Sequence, residues 1–141
     1  MTLQEAEKQI IEEFDLFEDW MDKYNYIIEL GKELPLIDSK YKTQQYLIAG
    51  CQSQVWLQAS YDNGIVTFTA DSDAIITKGI VNLLIRVLSG RTPKEIIDAP
   101  LGYLDQIGIK NHLSPTRSNG LASMIKQMKM FALAFDMKKE S

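Results

Sequence analysis

The sequence predicts one α+β domain, in which helices pack on one face of a three-stranded antiparallel sheet in the order α-α-β-β-β-α-α-α. Three observations predict it: helical spacing of apolar residues in the first third, an alternating pattern from about Tyr46, and a return to helical spacing after Asp73. A length of 141 residues with 45% hydrophobic content suits a single domain, residues 1–141, with one sizeable core.

Two amphipathic helices account for the first third of the chain. Their apolar residues recur at helical spacing, with a short break between the two sets: Leu3, Ala6, Ile10 and Phe14, then Phe17, Trp20, Met21, Tyr24, Ile27 and Ile28. Glu18 and Asp19 are predicted to mark the start of the second helix, because acidic side chains favour a helix N-terminus. Gly31 and Pro35 mark its end.

The sheet is predicted from a two-residue period. One face of a strand carries Val55, Leu57, Ala59 and Tyr61, and the other carries Gln54, Trp56, Gln58 and Ser60. Asn63 and Gly64 supply the positive φ angles of a hairpin turn, after which "IVTFTAD" returns as the next strand. "QYLIAG" is short and β-prone, so it is predicted as a preceding strand, with Gly50 and Cys51 in the turn that follows.

Three helices are predicted after the sheet. The first is strongly apolar over Ile75–Leu88 and stops at Gly90, and "DSDA" before it offers an Asp or Ser cap. A short helix follows, with Thr92 as its cap and Pro93 in its first position. The last begins near Ser118 and presents one apolar face, made of Leu121, Met124, Ile125, Met128, Phe131, Ala132 and Phe135.

Charge and composition argue against several classes of protein. The net charge is -4 and no stripe of lysines and arginines is present, so nucleic acid is not an expected partner. The acidic N-terminal residues do not resemble a signal peptide, and no run of roughly 18 apolar residues predicts a membrane span, so we expect a cytoplasmic protein without a membrane partner. With one cysteine and one histidine, neither an internal disulfide, a structural zinc site nor a cluster held within one chain is expected.

The single cysteine, Cys51, lies in "GCQSQVW" and has two interpretations. Free cysteines are commonly small core residues. The neighbours favour a reactive thiol on a loop instead, because Gly50 permits a sharp turn while Gln52, Ser53 and Gln54 are polar.

Four segments carry a resemblance to a known family. "YIIELG", "GCQSQVW", "DSDAIITKG" and "HLSPTRSNGL", in this order, resemble the SufE family of sulfur-acceptor proteins of iron-sulfur cluster assembly, from about Trp20 to about Phe131. The resemblance implies a SufE/NifU-like fold. It also implies that Cys51 takes persulfide sulfur from a cysteine desulfurase of the SufS or CsdA type, stimulates that enzyme and passes the sulfur to a SufBCD-type scaffold.

In that function this chain binds no cofactor, because the pyridoxal phosphate belongs to the desulfurase. The SufE and CsdE branches both fit the four segments. Two other classes stay open as alternatives: an independent thiol enzyme, such as a hydrolase or peroxidase using Cys51, and an interaction domain with an inert cysteine.

The matching segments supply the other candidate residues. Those expected to support the loop or bind the partner are Gly50, Gln52, Ser53, Gln54, Asp71, Asp73, Lys78 and Arg117. Arg117 either supports the persulfide anion or the docked desulfurase, or ties the loop to the helix N-terminus. Asp71 and Asp73 either gate the loop or cap a helix beginning at Ala74. Lys78 binds the partner or is solvated.

Three further expectations concern the surroundings of Cys51. His112 is a weak candidate for a base, because no acidic residue stands at a suitable spacing to orient it. Trp56 lies either under the outer helices or exposed as an interface anchor. Because a persulfide is lost to reductants, we expect Cys51 to face an apolar pocket at rest and to turn outward in the complex.

Overall fold

Apart from one predicted strand, the main helices and strands occur where the spacing of apolar residues in the sequence predicts them. The computed structural model describes residues 1–139; residues 140 and 141 of the predicted domain lie outside the described residues. The elements are α1 (Leu3–Phe14), α2 (Trp20–Gly31), β1 (Val55–Asp62), β2 (Ile65–Ser72), α3 (Ile75–Leu88), α4 (Pro93–Asp98), α5 (Tyr103–Gln106), α6 (Ile109–His112) and α7 (Pro115–Lys139), with 3-10 turns at Ser39–Tyr41 and Gln44–Tyr46. α5 and α6 are single turns beyond the predicted order. No helix within residues 1–139 is long and apolar enough to cross a membrane.

The sheet is the hairpin of β1 and β2. The strands pair antiparallel, from Val55 opposite Ser72 to Asp62 opposite Ile65. The turn residues Asn63 and Gly64 have φ angles of 52° and 81°, which confirms the predicted hairpin.

The third strand predicted at "QYLIAG" is wrong, because the sheet of residues 1–139 has two strands. The segment makes only an isolated bridge between Leu47 and Trp56, where the Ile48 N–H donates to the Val55 carbonyl at 2.9 Å. A 3-10 turn ends at Tyr46, and Gly50 turns the chain with a φ of 90°. Between these two turns the segment has room for only one bridged pair of residues.

Helices cover one face of the hairpin, as predicted. The core-facing side chains of the strands are buried against α3 and its neighbours; they are Val55, Leu57, Val66, Phe68 and Ala70. The opposite face carries Trp56, Gln58 and Thr69, which stay partly exposed.

α3 occupies the centre of the core and crosses α2 at very short range. A Cβ atom added to Gly79 would lie 1.9 Å from the carbonyl oxygen of Ile27, so only glycine allows this approach. Gly31 meets the same region of α3, where an added Cβ would lie 2.9 Å from the Gly79 nitrogen. The crossing fixes α3, which lines the candidate site described below.

An ion pair joins the first three helices. Arg86 on α3 donates two hydrogen bonds to the Glu13 carboxylate on α1, at 2.7 and 2.6 Å, and the Tyr26 hydroxyl on α2 donates to the same carboxylate. The Arg86 hydrogen bonds lower the pKa of Glu13, against the opposing effect of its burial. The pair therefore stabilises the charged carboxylate between the helices.

Two helices begin at N-cap residues that were predicted from the sequence. Asp19 caps α2, and Thr92 caps α4 with Pro93 in the first turn. α7 begins at Pro115, earlier than predicted, because the Ser114 hydroxyl accepts from the Arg117 N–H at 3.3 Å.

The side-chain cap predicted for α3 is wrong. α3 begins at Ile75, and its N-cap residue, Ala74, has no side-chain cap. Asp71 and Asp73 make other contacts, described below, and are therefore not available to the helix.

Candidate functional site

Cys51 lies on a loop that is held at both ends. We call residues 49–54 the Cys51 loop. Its first end is fixed by the hydrogen bond from the Ile48 N–H to the Val55 carbonyl. At the second end the Gln54 N–H donates to the Asp73 carboxylate at 3.0 Å, and the Asp73 N–H returns a hydrogen bond to the Gln54 carbonyl at 3.3 Å. Gln54 and Asp73 thus act together as an anchor.

The loop lies directly on α7. Gly50 has a φ of 90°, and a Cβ added there would lie 2.5 Å from the Ser123 hydroxyl oxygen. The Cys51 thiol donates to the Gly120 carbonyl, with Sγ 3.7 Å from the oxygen. A Cβ added to Gly120 would lie 3.6 Å from the Cys51 sulfur. The close approach therefore depends on glycine at Gly50, whereas a Cβ at Gly120 would make an ordinary van der Waals contact with the sulfur.

Cys51 faces a pocket of about 80 Å³ between its loop, α3 and α7. The buried part of the lining includes the apolar side chains of Ile80 and Met124 together with the polar Thr77. Gln52 and Arg117 line it too, and both are exposed. A single water needs roughly 10–15 Å³ of such space, so the pocket has room for at least one further atom beyond the thiol sulfur.

The Cys51 thiol is half-buried, and burial raises its pKa above the ordinary value. At neutral pH the resting residue is therefore a protonated thiol. A protonated thiol is a poor nucleophile, so the resting geometry protects the sulfur rather than activating it.

Arg117 stands next to an aromatic residue of α2. Its guanidinium carbon lies 6.0 Å from the centroid of the Tyr24 ring, and its side chain is exposed. One turn away, the His112 ring stacks on the Trp20 ring with centroids 4.1 Å apart. His112 does not line the pocket, so the geometry gives no support to a base at this position.

Asp71 and Lys78 form a separate cluster beside the loop anchor. The buried Asp71 carboxylate pairs with Lys42 and, at 3.3 Å, with Lys78. Burial acts to raise the pKa of Asp71, but the hydrogen bonds from Lys42, Ser72 and Lys78 outweigh it and lower the pKa. The Lys42 ammonium also lies 5.7 Å from the ring of Trp56, which is partly exposed on the face of the hairpin opposite the core.

The structure brings together most of the predicted site residues. Cys51, Gln52, Ser53 and Arg117 line one pocket, whereas Gly50, Gln54 and Asp73 hold the loop that carries it. The pocket residues Thr77, Ile80 and Met124 were not predicted, because they occur on helix faces that resemble ordinary core. One detectable signal was Gly120, a glycine inside an otherwise helical pattern.

Comparison with known proteins identifies relatives across nearly the whole chain. Residues 8–132 match the family described as SufE, Fe-S metabolism associated domain. A SufE-like protein of Rhizobium meliloti is 41% identical over 127 residues, which are 86% of this chain and 90% of the relative. A SufE-like protein of Rhizobium etli is also 41% identical, over 86% of this chain and 85% of its own length.

Two more distant matches extend the comparison. The Arabidopsis thaliana protein named SufE-like protein 1, chloroplastic/mitochondrial, is 37% identical over 94% of this chain but only 36% of its own length. The solution structure of a hypothetical protein from Thermus thermophilus has a TM-score of 0.75 at 19% identity, covering 92% of this chain and 94% of the other. That structure shares the fold.

Proposed function

The chain belongs to the SufE family, and from that premise we propose that Cys51 accepts sulfane sulfur from the persulfide of a cysteine desulfurase and passes it to an iron-sulfur cluster scaffold. The donor would be a pyridoxal-phosphate enzyme of the SufS or CsdA type, which this chain also stimulates, and the recipient a SufBCD-type complex. The proposal covers both the SufE and the CsdE branch and places the protein in the cytoplasm. The family's description as an Fe-S metabolism associated domain supports it.

One observation carries the proposal: the only cysteine of the chain lies on an anchored loop and faces a pocket with room for a further atom. A sulfur carrier needs one nucleophilic sulfur and a space for the second sulfur that it receives. Ile80 and Met124 would shield that sulfur from soluble reductants while the carrier is in transit.

The transfer resembles thiol-disulfide exchange. The Cys51 thiolate attacks the outer sulfur of the donor persulfide. A new S–S bond forms on Cys51, the S–S bond of the donor breaks, and the donor cysteine leaves as a thiolate. The number of S–S bonds is unchanged, so no external oxidant or reductant takes part.

The attack requires Cys51 to change its surroundings first. In the pocket its pKa is raised by burial, and its proton is held by the Gly120 carbonyl. We infer that the Cys51 loop turns outward in the complex, where solvent and the cationic Arg117 favour the thiolate. The anchors at Ile48 and Gln54 would stay in place, so that only the residues between them move.

Intact mass spectrometry tests this function. The protein is incubated with a cysteine desulfurase, pyridoxal phosphate and cysteine, with Cys51→Ser in parallel and Gln58→Ala, in the hairpin outside the pocket, as a variant that keeps the thiol. We expect a gain of whole sulfur atoms that reductant removes, absent only in Cys51→Ser. No gain with SufS-type and CsdA-type donors, together with unchanged desulfurase turnover, would refute the proposal.

A further inference from the structure

The Arg117 side chain, which lines the Cys51 pocket, has one described partner. Among residues 1–139 its guanidinium forms no ion pair and no hydrogen bond, and its one described contact is with the ring of Tyr24. By contrast, Arg86 is fixed by two hydrogen bonds to Glu13. Arg117 is therefore held in place without being neutralised.

An aromatic ring is suited to that task. A carboxylate partner would occupy the N–H donors of the guanidinium and cancel its charge. The face of a tyrosine ring attracts the cation while the N–H donors at its edge stay free for another ligand. Tyr24 thus keeps Arg117 ordered and still able to bind an anion.

The position of α2 supports this role. Trp20 and Tyr24 are one helical turn apart and lie on the same face of α2. Trp20 stacks on His112, and Tyr24 meets Arg117, so α2 contacts the start of α7 and the residues before it at two points. α2 is in turn locked to α3 at the Gly79 crossing, and α3 lines the Cys51 pocket. Arg117 thus contacts, through Tyr24, the same packed pair of helices that contributes the pocket wall.

We propose that Tyr24 is a positioning residue, which holds the Arg117 guanidinium at the mouth of the Cys51 pocket for the negatively charged persulfide that arrives with the donor. The inference rests on the proposed sulfur-acceptor function and deepens it. Tyr24 itself does not touch the reacting sulfur atoms. It acts only through Arg117, so its effect vanishes when Arg117 is absent.

The test is a double-mutant cycle read as the rate of sulfur transfer from a cysteine desulfurase to Cys51. Exposed cation–π contacts correspond to about a two- to fivefold change in an equilibrium or rate, so Tyr24→Leu should slow the transfer by about that factor. Tyr24→Phe keeps the ring and should transfer at the original rate. In an Arg117→Ala background, Tyr24→Leu should have no further effect.

Two controls separate positioning from folding. Tyr61→Leu removes another half-buried tyrosine, which stacks on Phe135 at 5.1 Å away from the pocket, and should leave the transfer rate unchanged. Urea unfolding of each variant reports its stability. If Tyr24→Leu does not fold, Tyr24→Met provides a flexible apolar substitute at the same position.

The outcomes distinguish this inference from the function on which it rests. Equal slowing by Tyr24→Leu with and without Arg117, or no slowing in either, would overturn the positioning role while Cys51-dependent sulfur gain persists. Normal transfer in Arg117→Ala would overturn it as well. Sulfur gain that survives Cys51→Ser would overturn the proposed function itself.

Discussion

Replacing Gly50 by alanine should open the Cys51 loop. Gly50 has a φ of 90°, which L-amino acids with a Cβ adopt at a cost, and the new Cβ would lie 2.5 Å from the Ser123 hydroxyl oxygen. Both effects act on the closed loop. Once the loop turns away from α7, the residue is free to adopt a negative φ and the contact with Ser123 is lost.

The expected size follows from the backbone strain. A left-handed conformation costs a residue with a Cβ about 1–2 kcal/mol, and each 1.4 kcal/mol changes an equilibrium tenfold. The open population should therefore rise about 5- to 30-fold. Alkylation of Cys51 by iodoacetamide requires the open, deprotonated thiol, so its rate should rise by the same factor.

The assay is the alkylation rate of the free protein, followed by intact mass spectrometry over a range of pH. The pH series separates access to Cys51 from its thiolate fraction, because partial burial raises the pKa of the thiol. Gly64→Ala is the matched control, since Gly64 has a φ of 81° but no atom within 4 Å of an added Cβ. It should carry similar strain in the hairpin without changing alkylation of Cys51.

A second variant isolates the contact with α7. Adding Ser123→Gly to Gly50→Ala removes the hydroxyl that the new Cβ meets, so the double variant should be alkylated more slowly than Gly50→Ala. Two results would refute the reasoning: Gly50→Ala alkylated at the original rate, or Gly64→Ala accelerated as strongly as Gly50→Ala.

Two predictions concern the frame that supports the site. Gly79→Ala should lower the free energy of unfolding by about 3 kcal/mol in urea titrations, because its Cβ would lie 1.9 Å from the Ile27 carbonyl oxygen; Gly102→Ala, with open space around it, should change little, and equal effects would contradict the crossing. The Glu13–Arg86 pair should stabilise the fold above the unfolded pKa of glutamate, about 4.3, and this stability should be lost as pH falls through the lowered folded pKa of Glu13. Unfolding measured against pH should thus show the original protein and Glu13→Gln converging in acid, and a constant difference down to low pH would count against it.

Local patterns were sufficient for most of the fold. Asn63 and Gly64 predict the hairpin turn because few other residues adopt its φ angles, and the apolar run over Ile75–Leu88 predicts α3 because only a central helix is apolar nearly all round. The strand predicted at "QYLIAG" was wrong because β propensity describes how well side chains fit a sheet surface. It does not say whether the segment has a partner strand along its length. Two adjoining turns left the segment no length in which to pair.

The candidate site was predictable in its chemistry but not in its walls. Cys51 and its polar neighbours stand out in the sequence, and Arg117 was recognised from a motif that resembles a family's. Ile80 and Met124 fit the apolar faces of their helices equally well as core residues or as pocket wall. The contact between Tyr24 and Arg117 joins residues far apart in the chain, and no periodicity records such a pair.

The two anchors of the Cys51 loop also limit how far its sulfur can travel. Cys51 stands three residues from Ile48 and three from Gln54, and three extended residues span at most about 10 Å. A tether of that length cannot deliver a thiol to the bottom of a deep catalytic cleft. Under the proposed function, the persulfide of the donor must therefore come within about 10 Å of the two anchors, close to the surface of α7.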